Sequence, residues 1–277
     1  MKLRRDDREE GDCLVASGAV VHFEVRGPRD ATPLVLLPPL AGSGDLFGPF
    51  RDDLARDFRV VTIEPPGSGD SSEPHGMPST RTLARDVLGA FAHLALPRLS
   101  VFGISLGGMV AQWLTIEAPG RVDKLVLAST AARGPTPIEA LSFDNLGFAG
   151  CLFLSEPALH MAEKVVSGDT LADSSERRRI HAAVRAHARG WPEIAWLAAA
   201  AASHDTRDRV GQIVAPTLVL TGGDDALISV DRQAKLAAAI PGAQHLTFAG
   251  AGHDLTLDRP GETAEAVRAH LMLARPA

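Results

Sequence analysis

The sequence has no tyrosine, which excludes any mechanism that needs a phenol as its acid. Cysteine is nearly as scarce. Cys13 and Cys151 are the only two, too few for a disulfide framework or a cysteine-rich zinc site, so reduced thiols and a cytoplasmic location are expected. Positive charge is not in excess either. A formal net charge of −6 gives no electrostatic reason to expect nucleic acid or an anionic membrane as a partner. No apolar run reaches the roughly 18–20 residues needed to span a bilayer. The opening "MKLRRDDREEGD" is charged and lacks the apolar segment of a secretory signal, and residues 1–18 read as a solvated lead-in. What is present, 45% hydrophobic and 22% charged residues over 277 positions, suffices for one large domain with an insertion.

Short apolar runs recur through the chain. "AVVHFEVRG" (19–27) alternates as a half-buried strand does. "PLVLLPP" (33–39), "FRVVTIEP" (58–65), "LSVFGIS" (99–105), "VDKLVLAST" (122–130), "APTLVLTGG" (215–223) and "AQHLTFAG" (243–250) are nearly continuous, as strands buried on both faces are. Helical patterns separate them. "TRTLARDVLGAFAHLAL" (80–96) puts Leu83, Val87, Phe91 and Leu94 on one face, and 106–118, 229–240 and 259–274 are similar. Alternating strands and helices predict an α/β fold with a mostly parallel sheet covered on both sides. Residues 132–210 break the rhythm with helical patterns alone. The expected division is a core of 19–131 and 211–277 with a helical lid, 132–210, inserted into it.

One stretch raises a chemical question. Gly103-Ile104-Ser105-Leu106-Gly107 is a G-x-S-x-G sequence between a buried strand and a helix. In that setting the turn is so sharp that small residues must flank the serine, whose hydroxyl stands above the sheet edge. The Leu106 N–H and the helix dipole then point where an oxyanion would form. The alternative is a glycine-rich turn serving only close helix–strand packing.

A serine hydroxyl needs a base to become a nucleophile, and the base needs an orienting carboxylate. Of the histidines, His253 in "FAGAGHDLTLDRP" follows the last strand and precedes the last helix, at the sheet edge where open α/β sheets build their sites. His181 and His187 lie on an arginine-rich helix and are expected to be solvated. "TLVLTGGDDALIS" ends a strand in two aspartates. Asp225 is favoured over Asp224, although either could only cap the turn. No acid follows directly in "LVLAST".

Over 20–274 the sequence resembles the α/β-hydrolase superfamily. "GISLGGMVAQWL" and "RDRVGQIVAPTLVLTGGDD" are most similar to its lid-bearing enol-lactone hydrolase and small-ester esterase members. The resemblance implies a serine hydrolase acting on an ester, thioester or lactone of a small to medium organic acid. Ser105, Asp225 and His253 would be its catalytic residues, a small molecule its substrate, and neither a metal nor an organic cofactor would be required. "EPPGSGDSS" (64–72) matches the family's Gly-x-Gly-x-Ser turn at Gly67, Gly69 and Ser71, with a structural role. A serine at 105 argues against dehalogenase and epoxide hydrolase relatives. The sequence departs from the family after 33–37, where Pro38-Pro39 replace His-Gly. Leu40 then supplies the second oxyanion N–H beside Leu106, and the Pro-Pro pair could hold a cis bond. Phe47, Phe143, Trp191 and Trp196 are candidates for a substrate pocket, and Arg133 could meet a substrate carboxylate. A lyase or cyclase using the same groups for proton transfer, a ligand-binding protein without turnover, and an acyltransferase are the competing readings.

Overall fold

The computed structural model describes residues 8–40, 42–136, 139, 174–187 and 189–273. Eight strands form one sheet among them: β1 (Arg8–Leu14), β2 (Val20–Arg26), β3 (Pro33–Leu37), β4 (Arg59–Glu64), β5 (Leu99–Ile104), β6 (Val122–Ala128), β7 (Thr217–Gly222) and β8 (Gln244–Phe248). Their order is β1-β2-β4-β3-β5-β6-β7-β8. The pairings β1–β2 and β2–β4 are antiparallel and all the others parallel. This is the mostly parallel sheet that the alternation of strands and helices predicts.

Alternation along each buried strand feeds two cores. Val35 and Leu37 of β3 and Val101 of β5 pack on one face, against Leu83, Val87 and Phe91 of α2 (Thr80–His93) and Met109, Val110 and Leu114 of α3 (Leu106–Glu117). Leu34, Leu36, Phe102 and Ile104 point the opposite way, to Phe50 and Leu54 of α1 (Gly48–Leu54). Because both faces are covered, the central strands carry no polar alternation. Ser79 fixes the start of α2, its hydroxyl accepting from the Arg81 N–H at 3.2 Å.

The lead-in expected at 1–18 is wrong for its second half. Residues 8–14 form β1, an edge strand on β2. Its side chains are exposed except at Gly11 and Cys13, so it shows no apolar alternation and its charged face reads as solvated. Backbone pairing and cross-strand ion pairs hold it instead, Arg8 to Glu24 at 2.9 Å and Asp12 to His22 at 2.8 Å.

Between β6 and β7 the described residues form α4 (Ser174–Ala186) and α5 (Trp191–Ala202). The neck of this insertion is closed by backbone hydrogen bonds. Gly134 N–H donates to His204 O and Thr206 N–H to Ala132 O, both at 2.7 Å. The α4 helix docks on the core through Ile180 and Ala183, which pack with Leu46 and Leu257. After β7 come α6 (Val230–Ala239), then β8, then α7 (Leu255–Asp258) and α8 (Pro260–Met272). Among the described residues no helix is long and apolar enough to cross a membrane.

Candidate active site

Ser105 sits between β5 and α3 with φ 54° and ψ −118°. A serine at positive φ is strained, and its surroundings impose the geometry. The Ser105 N–H donates to Ala128 O at 3.0 Å, and its carbonyl accepts from Thr130 Oγ1 at 2.9 Å. The flanking glycines are sterically required. A Cβ on Gly103 would overlap the Gly107 carbonyl, and one on Gly107 would overlap the carbonyls of Leu37 and Pro38. Gly108, which sequence reasoning did not single out, is equally constrained. Its Cβ would lie 2.7 Å from the Thr130 side chain.

Three residues from distant parts of the chain meet here. His253 Nε2 lies 3.0 Å from Ser105 Oγ, and His253 Nδ1 lies 2.9 Å from both carboxylate oxygens of Asp225. His253 is held by the loop between β8 and α7. Asp225 follows β7 and is buried, whereas Asp224 is exposed. Asp225 Oδ1 also accepts the N–H groups of Leu227 and Ile228, each at 2.9 Å. Gln233 Nε2 donates to Oδ2 at 2.8 Å and to Ile228 O at 2.7 Å. Gln233 is fully buried and was not anticipated. The signal was a polar residue at position i of the face whose i+3 and i+4 members, Leu236 and Ala237, are buried. Burial pushes the His253 imidazole toward a lower pKa, but the charge and hydrogen bond of Asp225 outweigh it and leave the pKa raised.

The Pro38-Pro39 segment carries the chain past the start of α3, with Pro39 O accepting the Gly42 N–H at 3.0 Å. No peptide bond among the described residues is cis, so the cis expectation is not met there. Leu40 follows this pair and is partly buried against the core. The Leu106 side chain is buried, and its N–H begins α3, where backbone donors lack an intrahelical acceptor.

Other expectations need revision. Phe47 has no exposed surface and packs against Phe50 and Phe102, with ring centroids 6.1 and 6.2 Å away. It is a core residue rather than a pocket wall. Trp191 is 58% exposed, while Trp196 packs on the core and its Nε1–H donates to Gly76 O at 3.1 Å. Phe143 and Cys151 lie outside the described residues. Arg133 is engaged by Glu139 through two hydrogen bonds, 2.9 and 3.1 Å. Those bonds hold the Glu139 carboxyl down at about 2. His187 is not simply solvated. It lies 3.0 Å from Asp70 and 3.3 Å from Asp45. The Gly-x-Gly-x-Ser turn wraps Glu64. Gly67 and Gly69 have φ 88° and 50°, and Ser71 Oγ donates to Glu64 O and accepts from His22 N–H.

Sheet order, serine turn and the meeting of three side chains define an α/β-hydrolase. The sequence pattern of the family described as serine aminopeptidase, S33 matches residues 34–260, and the chain belongs to that family of hydrolases. It is 29% identical to the "Putative carbamate hydrolase RutD" of Rhizobium rhizogenes, covering 87% of this chain and 94% of that one. It is 26% identical to the 3-oxoadipate enol-lactonase 2 of Acinetobacter baylyi, covering 79% and 81%. The enol-lactonase structure from Burkholderia xenovorans LB400 shares the fold with a TM-score of 0.80 and 24% identity, over 95% of this chain and all of that one.

Proposed function

We propose that the protein is a serine hydrolase that cleaves an ester, thioester or lactone of a small to medium organic acid through an acyl-enzyme on Ser105. The observation that carries this reading is the line of contacts from Ser105 Oγ through His253 to buried Asp225, at 3.0 and 2.9 Å. Asp225 keeps the proton on His253 Nδ1, so Nε2 is free to accept the serine proton. Ser105 Oγ attacks the carbonyl carbon. The N–H groups of Leu40 and Leu106 bind the resulting oxyanion. The tetrahedral centre collapses, and His253 returns the proton to the departing alcohol or thiol. Water then attacks the acyl-enzyme with His253 as base, releasing the acid and restoring the serine.

The insertion, 132–210, is assigned the role of a lid that sets substrate size, with Trp196 among its inner side chains. Ester and lactone substrates are favoured by the resemblance to enol-lactone hydrolases. The relative named as a carbamate hydrolase makes carbamates a necessary arm of any screen.

A fluorophosphonate imitates the tetrahedral centre and reacts quickly only with an activated serine. Intact mass should show one adduct, mapped to Ser105, and none in Ser105→Ala or His253→Ala. A rapid-quench experiment with a turned-over ester should then show an acyl mass on Ser105 or a burst of released alcohol. Labelling without turnover of any ester, thioester, lactone or carbamate would favour the lyase or cyclase reading. Absence of labelling in the folded protein would remove Ser105 as the nucleophile.

A further inference from the structure

A second polar site lies on the antiparallel part of the sheet. Along β4, Val61 and Ile63 enter one core, so Thr62 and Glu64 face the other side. The antiparallel register sets Glu24 opposite Thr62, His22 opposite Glu64, and Asp12 opposite His22. The turn at 68–71 brings up Asp70. His22, Glu24, Thr62, Glu64 and Asp70, with Arg8 and His187, line a cavity of about 240 Å³.

His22, Glu64 and Asp70 each bring one potential ligand atom to within 4.8 Å of the others. Asp12 holds His22 Nδ1 at 2.8 Å, leaving Nε2 for a ligand. A carboxylate behind an imidazole is how metal-binding histidines are oriented. Glu64 is 4% exposed. Its two oxygens accept the N–H groups of Gly44 and Asp70, at 2.7 and 2.6 Å, and each keeps a further lone pair. Among the described residues no lysine or arginine pairs with Glu64 or Asp70, whereas Glu24 is paired with Arg8, Arg26 and Arg51. A second observation comes from the wall of the same cavity. Thr62 is 1% exposed, and its Oγ1 has no hydrogen-bond partner, a rare state for a buried hydroxyl.

We propose that this cavity binds one divalent transition-metal ion through His22 Nε2, Glu64 and Asp70, with the Thr62 hydroxyl beside it. One imidazole and two carboxylates suit manganese or zinc better than a thiolate-seeking metal. Asp70, whose side chain is 57% exposed, stands at the mouth and gives the ion a way in. The ion would compensate the buried Glu64 charge and brace three neighbouring elements: the sheet edge, the 68–71 turn and, through Asp70, His187 at the end of α4. It takes no part in the reaction at Ser105, because β3 stands between β4 and β5.

The test uses the untagged full chain, stripped with a chelator, dialysed and titrated with MnCl₂ at pH 7.5. Binding is read by calorimetry and by the loss of the free Mn²⁺ EPR signal. One saturable equivalent is expected, with a rise in Tm on adding the ion. His22→Ala and Asp70→Asn, both away from the packed core, should each weaken binding at least tenfold and abolish the Tm rise. Asp12→Asn should weaken it 10–100-fold. Asp224→Asn and His253→Ala should bind as the wild type does. Failure of Mn²⁺ and Zn²⁺ alike to bind saturably would overturn the proposal. So would unchanged binding in folded His22→Ala and Asp70→Asn, or its loss in His253→Ala, which would move the ion to the serine site. None of these readouts depends on turnover, so the outcome is separable from the fate of the hydrolase reading.

Discussion

Replacing Asp225 by asparagine tests the histidine tautomer. Two backbone N–H groups, from Leu227 and Ile228, converge on Oδ1. They will hold the asparagine carbonyl there and turn its NH₂ toward the position of Oδ2. That position is 2.9 Å from His253 Nδ1 and 2.8 Å from Gln233 Nε2. An NH₂ facing Nδ1 favours the ring with its proton on Nε2, the atom that must accept from Ser105. Neutralising the orienting carboxylate of such a triad costs roughly 10³–10⁴ in kcat, or about 4–5.5 kcal/mol in the barrier at 1.36 kcal/mol per decade. Asp224 is exposed and has its own backbone N–H on Ala251 O at 2.8 Å, so Asp224→Asn should stay within about twofold. The assay is steady-state turnover of the best ester or lactone found, with circular dichroism to show that both variants fold. A loss below tenfold in Asp225→Asn, or a larger loss in Asp224→Asn, would falsify the role given to Asp225.

Three further outcomes are expected. His253 must be neutral to act as base and its pKa is raised, so kcat/KM should fall on the acid side with a midpoint above the ordinary imidazole value of about 6.5; in Asp225→Asn the residual activity should fall at lower pH, and an unmoved midpoint would count against the pairing. His204 is buried between Thr80 and Thr206, and burial holds its imidazole down at about 4 from 6.5. The unfolded chain therefore takes up a proton that the fold refuses, and stability drains away as pH falls from 6.5 toward 4, by about 3 kcal/mol in total. The stability gap between wild type and His204→Asn, from urea melts, should narrow by that amount over the interval, and a constant gap would refute the assignment. Replacing 132–210 by a short linker should alter relative rates on short and long acyl chains, and a folded lidless variant with unchanged selectivity would deny the insertion a role in substrate size.

The parts of this molecule that were legible in the sequence are those where burial dominates. The strands β3 to β8 read clearly because apolar runs between glycines and prolines have few other ways to hide. Ser105 and His253 were legible because each occupies a junction at the sheet edge, and the turn glycines are forced by contacts with backbone. Strand β1 was hidden because its pairing is made by backbone and ion pairs, which leave no apolar trace. Phe47 was misplaced because nearness in sequence to the Pro38-Pro39 loop does not say which way a ring turns, and here it turns into the core with Phe102. Gln233 owes its importance to Asp225, eight residues back across the turn after β7, and Gly108 to Thr130, about twenty residues on, just past β6, and nothing in the local pattern names either partner. The cluster of His22, Glu64 and Asp70 depends on the register of two antiparallel pairings, which pattern alone does not fix.

The closed neck of the insertion has a consequence for descent and for engineering. Its two ends are tied side by side, Gly134 to His204 and Ala132 to Thr206, so the chain leaves the sheet and returns to it at one spot. The entropy of closing a loop grows only with the logarithm of its length, by about 0.6 kcal/mol per doubling. Residues between those ties can be lengthened, trimmed or exchanged wholesale at small thermodynamic cost, while β6 and β7 keep their register. The fold thus separates a part that must be inherited intact from a part that can be rewritten, and a grafted segment needs only to end in the same two hydrogen-bonded strands of backbone.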